Sequence, residues 1–194
     1  MTNLTKPFIA PFLDHHPEIA ANAYIAETAA VVGAVRIGDK SSIWHQVTLR
    51  GDNNFITVGE GTNIQDNSCV HISSQGYPTI IGNHVNIGHS ALVHACHLHD
   101  HAFVGMGSIV MDGAIIESDG MLAAGSLLTP KKQVPAGELW AGRPARKMRD
   151  LTTKEIAENR RIAQHYVEVG RAHRLGTAGA PFSNMHTHSL PPLE

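Results

Sequence analysis

The chain has 194 residues, enough for one domain of ordinary size. Charged residues make up only 16% and aromatics 5%, while glycine reaches 18 and proline 10, a balance that disfavours helical bundles and favours turn-rich β architecture. A formal charge of −2, with no basic run longer than Lys131-Lys132, excludes the electrostatic footprint of a nucleic-acid-binding protein.

The first thirty residues scatter Asp14, Glu18 and Glu27 among Pro and Ala, without the basic start and apolar stretch of a secretory signal. No segment is long and apolar enough to span a bilayer. Two cysteines, Cys69 and Cys96, are too few for a disulfide scaffold and point to a reducing compartment. The expectation is a cytoplasmic protein with neither membrane nor nucleic acid as a partner.

From residue 31 a six-residue rhythm takes over. Aliphatics recur at Val31, Ile37, Ile43 and Leu49, then at Val58, Ile64 and Val70, at Ile81, Ile87 and Val93, and at Val104, Val110, Ile116, Leu122 and Leu128. Neither the helical period nor strict alternation spaces aliphatics by six, whereas short strands joined at regular corners do. Three hexads close one triangular coil, so residues 31–130 predict about five or six coils, each burying its aliphatic row against the next. The fold class is therefore all-β, a parallel β-helix of hexapeptide repeats. The rhythm breaks at Asn53-Asn54-Phe55, at Ser73 to Pro78, and by one residue around His97 to His101; these are expected to be loops or tightened corners.

A coil stack needs a cap at its raw end. Thr152-Thr153-Lys154-Glu155 fits a capping box, and Ile156, Ile162, Tyr166 and Val169 share a face, which predicts an α-helix from about 153 to 174, packed on the coils or on a neighbouring subunit. Gly142-Arg143-Pro144-Ala145 breaks the strand pattern before it. The chain thus divides into a β-helix domain over 1–150, a capping helix over 151–175 and a disordered tail over 176–194, where His186 and His188 would be solvated.

Histidine is the anomaly: 14 in all, with His84, His89, His94, His97, His99 and His101 inside eighteen positions. His71 and His89 are eighteen residues apart, one coil, which would place them on one face a layer apart; His94, five residues on, would lie round a corner. Such corner-separated imidazoles would meet on one ion most easily if a second subunit supplied one, so the spacing implies a trimer.

The segments Leu49-Arg50-Gly51-Asp52, Asn63-Ile64-Gln65-Asp66-Asn67, Val70-His71, Ile87-Gly88-His89-Ser90 and Val93-His94 resemble, in order and spacing, the signature of the γ-class carbonic anhydrases. The resemblance covers roughly residues 20 to 175. It implies a left-handed coil and a homotrimer with zinc, or iron(II), at each subunit interface. His71 and His94 would come from one chain and His89 from the next. It also implies reversible hydration of carbon dioxide to bicarbonate by a metal-bound hydroxide, since zinc held by three imidazoles brings its water to a pKa of about 7, a magnitude established for carbonic anhydrase itself. Gln65 would hydrogen-bond the reacting oxygen with Asn63 as a second amide beside it, and Arg50 with Asp52 or Asp66 would form interface ion pairs.

No glutamate occurs from Gly61 to Ile116, so the acidic-loop proton shuttle of the archaeal prototype is missing. His84, His97, His99, His101 or external buffer would have to replace it, unless those histidines are simply outward rungs of the coil. Turnover is then expected to be slow and buffer-dependent. Cys96 reads as a small buried residue. Two alternatives stay open: a hexapeptide acyltransferase with one histidine base and a coenzyme A groove, which Pro130-Lys131-Lys132-Gln133-Val134-Pro135 and Gly142-Arg143-Pro144-Ala145 would suit, and a non-catalytic metal-stabilised scaffold.

Overall fold

A computed structural model describes residues 6–176; the predicted tail, with His186 and His188, lies outside the described residues. Short parallel strands stack into a triangular solenoid with three faces. The first face carries Phe8–Ala10, the start of Ala30–Ile37 and of Thr48–Val58, then Cys69–His71, Leu92–His94, Ile109–Val110 and Leu127–Leu128. The second carries Glu18–Ile19, the ends of the same two long strands, then Thr79–Ile81, His97–Leu98, Ile115–Ile116 and Gln133–Val134. The third runs from Tyr24–Ile25 and Ser42–Ile43 through Asn63–Ile64, Asn86–Ile87, Phe103–Val104 and Met121–Leu122 to Glu138–Gly142.

Seven parallel strands stand on each face, one or two coils more than the rhythm predicted. The extra coils come from the segments before residue 31 and after residue 130, where polar or short residues obscure the hexads. All fifteen aliphatics of the rhythm point inward and are no more than 3% exposed. Leu98 and Val134 continue the same rows. A stack of side chains one above another, each fully removed from water, stabilises by roughly 1.5–3 kcal/mol per large aliphatic before chain entropy is counted.

The corners use the left-handed region of the backbone. Non-glycine residues such as Asn67, Ser90, Ala95 and Lys131 have φ near +60° there. That conformation is disfavoured for L-residues, but the corner amides hydrogen-bond to the coil above and hold it: Asn67 N–H donates to His45 O at 2.9 Å and Ser90 N–H to Asp66 O at 2.9 Å.

The breaks in rhythm all fall at one corner, between the first face and the second. Buried residues across it are six apart in Val31 to Ile37, Val110 to Ile116 and Leu128 to Val134, but nine apart in Leu49 to Val58, eleven in Val70 to Ile81 and five in Val93 to Leu98. Two expectations need correction. Asn53-Asn54-Phe55 is no loop but an irregular stretch within the continuous strand Thr48–Val58, where the register shifts. The lost residue lies between Val93 and Leu98 rather than at His97 to His101. Ser73 to Pro78 is a loop as predicted.

After Glu138–Gly142 the chain reverses into an antiparallel partner, Ala145–Asp150. The helix Thr153–Leu175 then packs on the chain's own coils. Thr152 closes a complete capping box with Glu155, whose carboxyl is held at about 2 chiefly by Arg149 and by the Thr152 backbone and hydroxyl. The packed face is smaller and more polar than the aliphatic stripe suggested: Asn159, Ala163 and Gly170 are buried, with Tyr166 edge-on to Trp44 at 5.7 Å. A Cβ on Gly170 would stand 3.0 Å from Ser42 Cβ, so a small residue is what lets the helix lie close. Because the hydroxyl of Thr152 accepts from the Glu155 amide, Thr152→Ala should cost about 1 kcal/mol of stability; a urea titration showing no change in midpoint would remove the cap's role.

Candidate metal centre

Strand pairing decides which histidines are neighbours. His94 lies directly in register with His71 at the ends of Leu92–His94 and Cys69–His71, so these two, not His71 and His89, share an edge one layer apart. Eighteen residues do not make up this coil. The Ser73 to Pro78 loop lengthens this coil to twenty-three residues and brings His94 under His71. His89 stands at the opposite edge of the first face, next to the left-handed Ser90.

His71 Nδ1 and His94 Nε2 face each other at 3.3 Å. Two ligand atoms on a tetrahedral ion with bonds of about 2.0–2.1 Å are separated by about 3.3–3.4 Å, so the pair already has the spacing of two ligands. Each ring is held from behind by a carboxylate. His71 Nε2 meets Asp52 Oδ1 at 3.2 Å, and His94 Nδ1 meets Asp112 Oδ1 at 2.8 Å. His89 has the same arrangement alone, its Nδ1 3.0 Å from Asp66 Oδ2. A carboxylate on the outer nitrogen fixes the ring and directs the other nitrogen's lone pair, as is usual for metal-ligating histidine.

Electrostatics keep His71 suited to donation. Burial lowers the His71 pKa, against the opposing pull of Asp52; a ring that resists protonation keeps its lone pair available. Burial pushes the Asp52 carboxyl up, but the His71 ring, the local backbone amide and Arg50 outweigh it and hold it below its usual range. Arg50 bonds Asp52 within the same chain, while Asp66 belongs to His89, so the two acids expected to compete for Arg50 are divided.

Gln65 and Asn63 lie on the His89 side. Gln65 Nε2 donates to Asn63 Oδ1 at 3.0 Å, Asn63 Nδ2 to Asn86 Oδ1 at 2.7 Å, and Asn86 Nδ2 to Asn159 O of the helix at 2.8 Å. This buried amide ladder ties the site's edge to the cap, and it fixes Gln65 with its oxygen as the remaining acceptor. Asn63 is fully buried and engaged at both ends of its amide, which makes it a positioning residue.

The site is thus in two halves at two edges of the first face: Arg50, Asp52, His71, His94 and Asp112 at one, and at the other Asp66 and His89, with Gln65 and Asn63 reaching back along the third face. Among the described residues no three His, Cys, Asp or Glu side chains of a single chain converge as a ligand set. Sequence reasoning missed Asp112. Its one signal was a position eighteen residues after His94, one coil below. The other histidines are elsewhere: His97 and His99 stack at 4.0 Å on the second face, and His84 stacks on His101 at 5.4 Å at the corner that the helix covers. Cys96 is buried, as expected, and burial raises its thiol pKa far above the ordinary range.

Hexads stacked into a capped parallel β-helix define a hexapeptide-repeat protein, here with a carboxylate-backed histidine pair at one corner. No family model matches the chain. It is 47% identical over 170 residues to γ carbonic anhydrase 1, mitochondrial, of Arabidopsis thaliana, a match spanning 85% of this chain and 62% of that relative. It is 40% identical over 166 residues to a carbonic anhydrase of Geobacillus kaustophilus, covering 86% of this chain and 91% of that one. Among solved structures, a hexapeptide transferase family protein from Anaplasma phagocytophilum superposes with a TM-score of 0.82 at 49% identity, over 86% of this chain and 98% of that one. The chain belongs to the γ-class carbonic anhydrase family.

Proposed function

We propose that the chain catalyses the reversible hydration of carbon dioxide to bicarbonate as a homotrimer, with zinc or iron(II) held by His71 and His94 of one chain and His89 of the partner subunit. The observation that carries this reading is the 3.3 Å separation of His71 Nδ1 and His94 Nε2, with each ring backed by a carboxylate and the third histidine out of reach at the far edge of the face. A divalent ion there would supply the acidity that lets water react as a nucleophile near neutral pH.

The chain's own residues do the rest. Asp52, Asp112 and Asp66 orient the three rings, Arg50 holds Asp52, and Gln65 offers its oxygen to the reacting water. The first face suits self-association: of its two outward ladders, one, Ala30, Thr48, Cys69, Leu92, Ile109 and Leu127, has no charged member, while the other carries Arg50, His71 and His94, and Leu92 is 37% exposed. Cyclic assembly over that face would repeat the two half-sites three times. Both cysteines are free thiols, which fits a reducing cytoplasmic setting, and no described helix is long and apolar enough to cross a membrane.

An acyltransferase reading draws on the name of the Anaplasma neighbour, but one histidine base would leave the second backed imidazole unused. Protein purified anaerobically and loaded with zinc or iron(II) should scatter light as about three times the 20.9 kDa chain and hydrate carbon dioxide in stopped flow. A monomer that binds metal at full affinity would sink the shared site. No hydration above the metal-free control with either ion would sink the activity and leave the acyltransferase and scaffold readings.

A further inference from the structure

Buried hydroxyls recur at the corners of this solenoid, and Ser41, Thr62 and Ser68 share one pattern. Ser41 donates to Gly59 O at 2.6 Å and accepts from Thr62 N–H at 2.9 Å. Thr62 donates to Gly82 O at 2.7 Å and accepts from Val85 N–H at 3.0 Å. Ser68 donates to Gly88 O at 3.0 Å and accepts from Ala91 N–H at 3.1 Å. In each case both partners belong to the next coil, so the hydroxyl pins one coil to the following one and satisfies backbone groups at the corner.

Thr79 departs from that pattern. It opens the strand Thr79–Ile81 immediately after the Ser73 to Pro78 loop and is fully buried. Its hydroxyl accepts from Ala95 N–H of the next coil at 2.9 Å, but it donates back to His71 O, eight residues earlier in its own coil. Ala95 N–H also reaches His71 O, at 3.1 Å. A carbonyl, a hydroxyl and an amide therefore close a three-way knot, whose backbone ends belong to His71 itself and to the peptide that follows His94. Ala95 is left-handed at φ 50°, a conformation disfavoured for a residue with a Cβ, and the knot holds it there.

The hydroxyl, rather than the bulk of the side chain, sets the closeness of these strand ends. An O–H···O bond spans about 2.7–2.8 Å, whereas a carbon stands off from a carbonyl oxygen at roughly 3.3–3.6 Å. The difference is at least about 0.5 Å, the tolerance within which a ligand constellation has to be held.

Resting on the metal-binding reading above, we propose that Thr79 is a positioning residue for the metal centre, its hydroxyl setting the spacing of His71 and His94 by tying their backbones together. It touches neither ion nor substrate. The loop that brings His94 under His71 is thus closed at its base by a bond to the same histidine.

Zinc affinity, by competition with a chelator, and the visible spectrum of the cobalt(II)-loaded protein read the effect without turnover. Thr79→Val should bind zinc about tenfold more weakly and shift the cobalt bands. Thr79→Ser keeps the hydroxyl and should match the unmutated protein in both. Ser41→Ala removes a bridge at another corner; it should lower the midpoint of thermal unfolding yet leave zinc affinity and the cobalt spectrum unchanged. In crystals of the metal-free proteins, the distance from His71 Nδ1 to His94 Nε2 should exceed 3.3 Å in Thr79→Val and return to it in Thr79→Ser. If Thr79→Val does not fold, Thr79→Ala removes the same bonds without the added methyl and should show the same loss of affinity. Full zinc affinity without the hydroxyl, an equal loss in Thr79→Ser or Ser41→Ala, or an unmoved ring spacing would overturn the positioning role. Failure of the unmutated protein to bind zinc would overturn the metal reading instead, and the ring spacing in metal-free crystals would still decide whether Thr79 sets it.

Discussion

Refolding His89→Ala together with His94→Ala should restore metal that neither variant holds alone. Each variant by itself keeps only part of a three-imidazole set, too little for tight binding. In randomly assorted cyclic trimers, about a quarter of the interfaces would set an intact His71–His94 pair against an intact His89. Elemental analysis of the mixed trimers, with hydration recovering in proportion, checks this. A centre closed within one chain would give no rescue, so zero recovery from well-formed mixed trimers would refute the two-edge arrangement. The experiment tests the feature that the single chain displays most clearly, a pair at one edge and a lone histidine at the other.

Asp112→Ala should weaken metal binding by about 10–100-fold while leaving the coil intact. The His94 ring would lose the acceptor at 2.8 Å that sets its orientation. Asp112 sits at a corner, its side chain 38% exposed, outside the aliphatic rows. Competition against a chelator of known affinity measures the change, and an unmoved midpoint of thermal unfolding in the metal-free protein separates it from misfolding. Asp66→Ala should act equally through His89. Equal affinity for Asp112→Ala and the unmutated trimer would mean that the 2.8 Å contact orients nothing that matters.

The coil itself was legible because its physics repeats. A buried aliphatic every sixth residue suits short strands joined at corners and neither a helix nor a flat sheet, and the capping box at Thr152 announced the helix on similarly local grounds. The arrangement of the histidines was not legible from counting. Eighteen residues make a coil only where no corner is enlarged, and the Ser73 to Pro78 loop adds five at the place that matters. Asp112 carries no motif and acts only through a neighbour one layer away. The helix face was misjudged for a related reason: aliphatics are conspicuous in a sequence, whereas Asn159, Ala163 and Gly170 matter through closeness and hydrogen bonding. The turn in which Phe12 and His15 exchange backbone hydrogen bonds precedes the first hexad and left no periodic trace.

Every departure from six-residue spacing falls at the corner that holds Asp52, His71, His94 and Asp112. The other two corners keep strict time, so their hydrogen bonds and buried rows fix the stack whatever length the third edge takes. Such a frame separates inheritance of shape from inheritance of chemistry. Residues can be gained or lost along one seam, altering what approaches the ligands, without any strand changing partner. A protein built this way can explore new substrates by editing a margin, and a designer can graft there without redrawing the body.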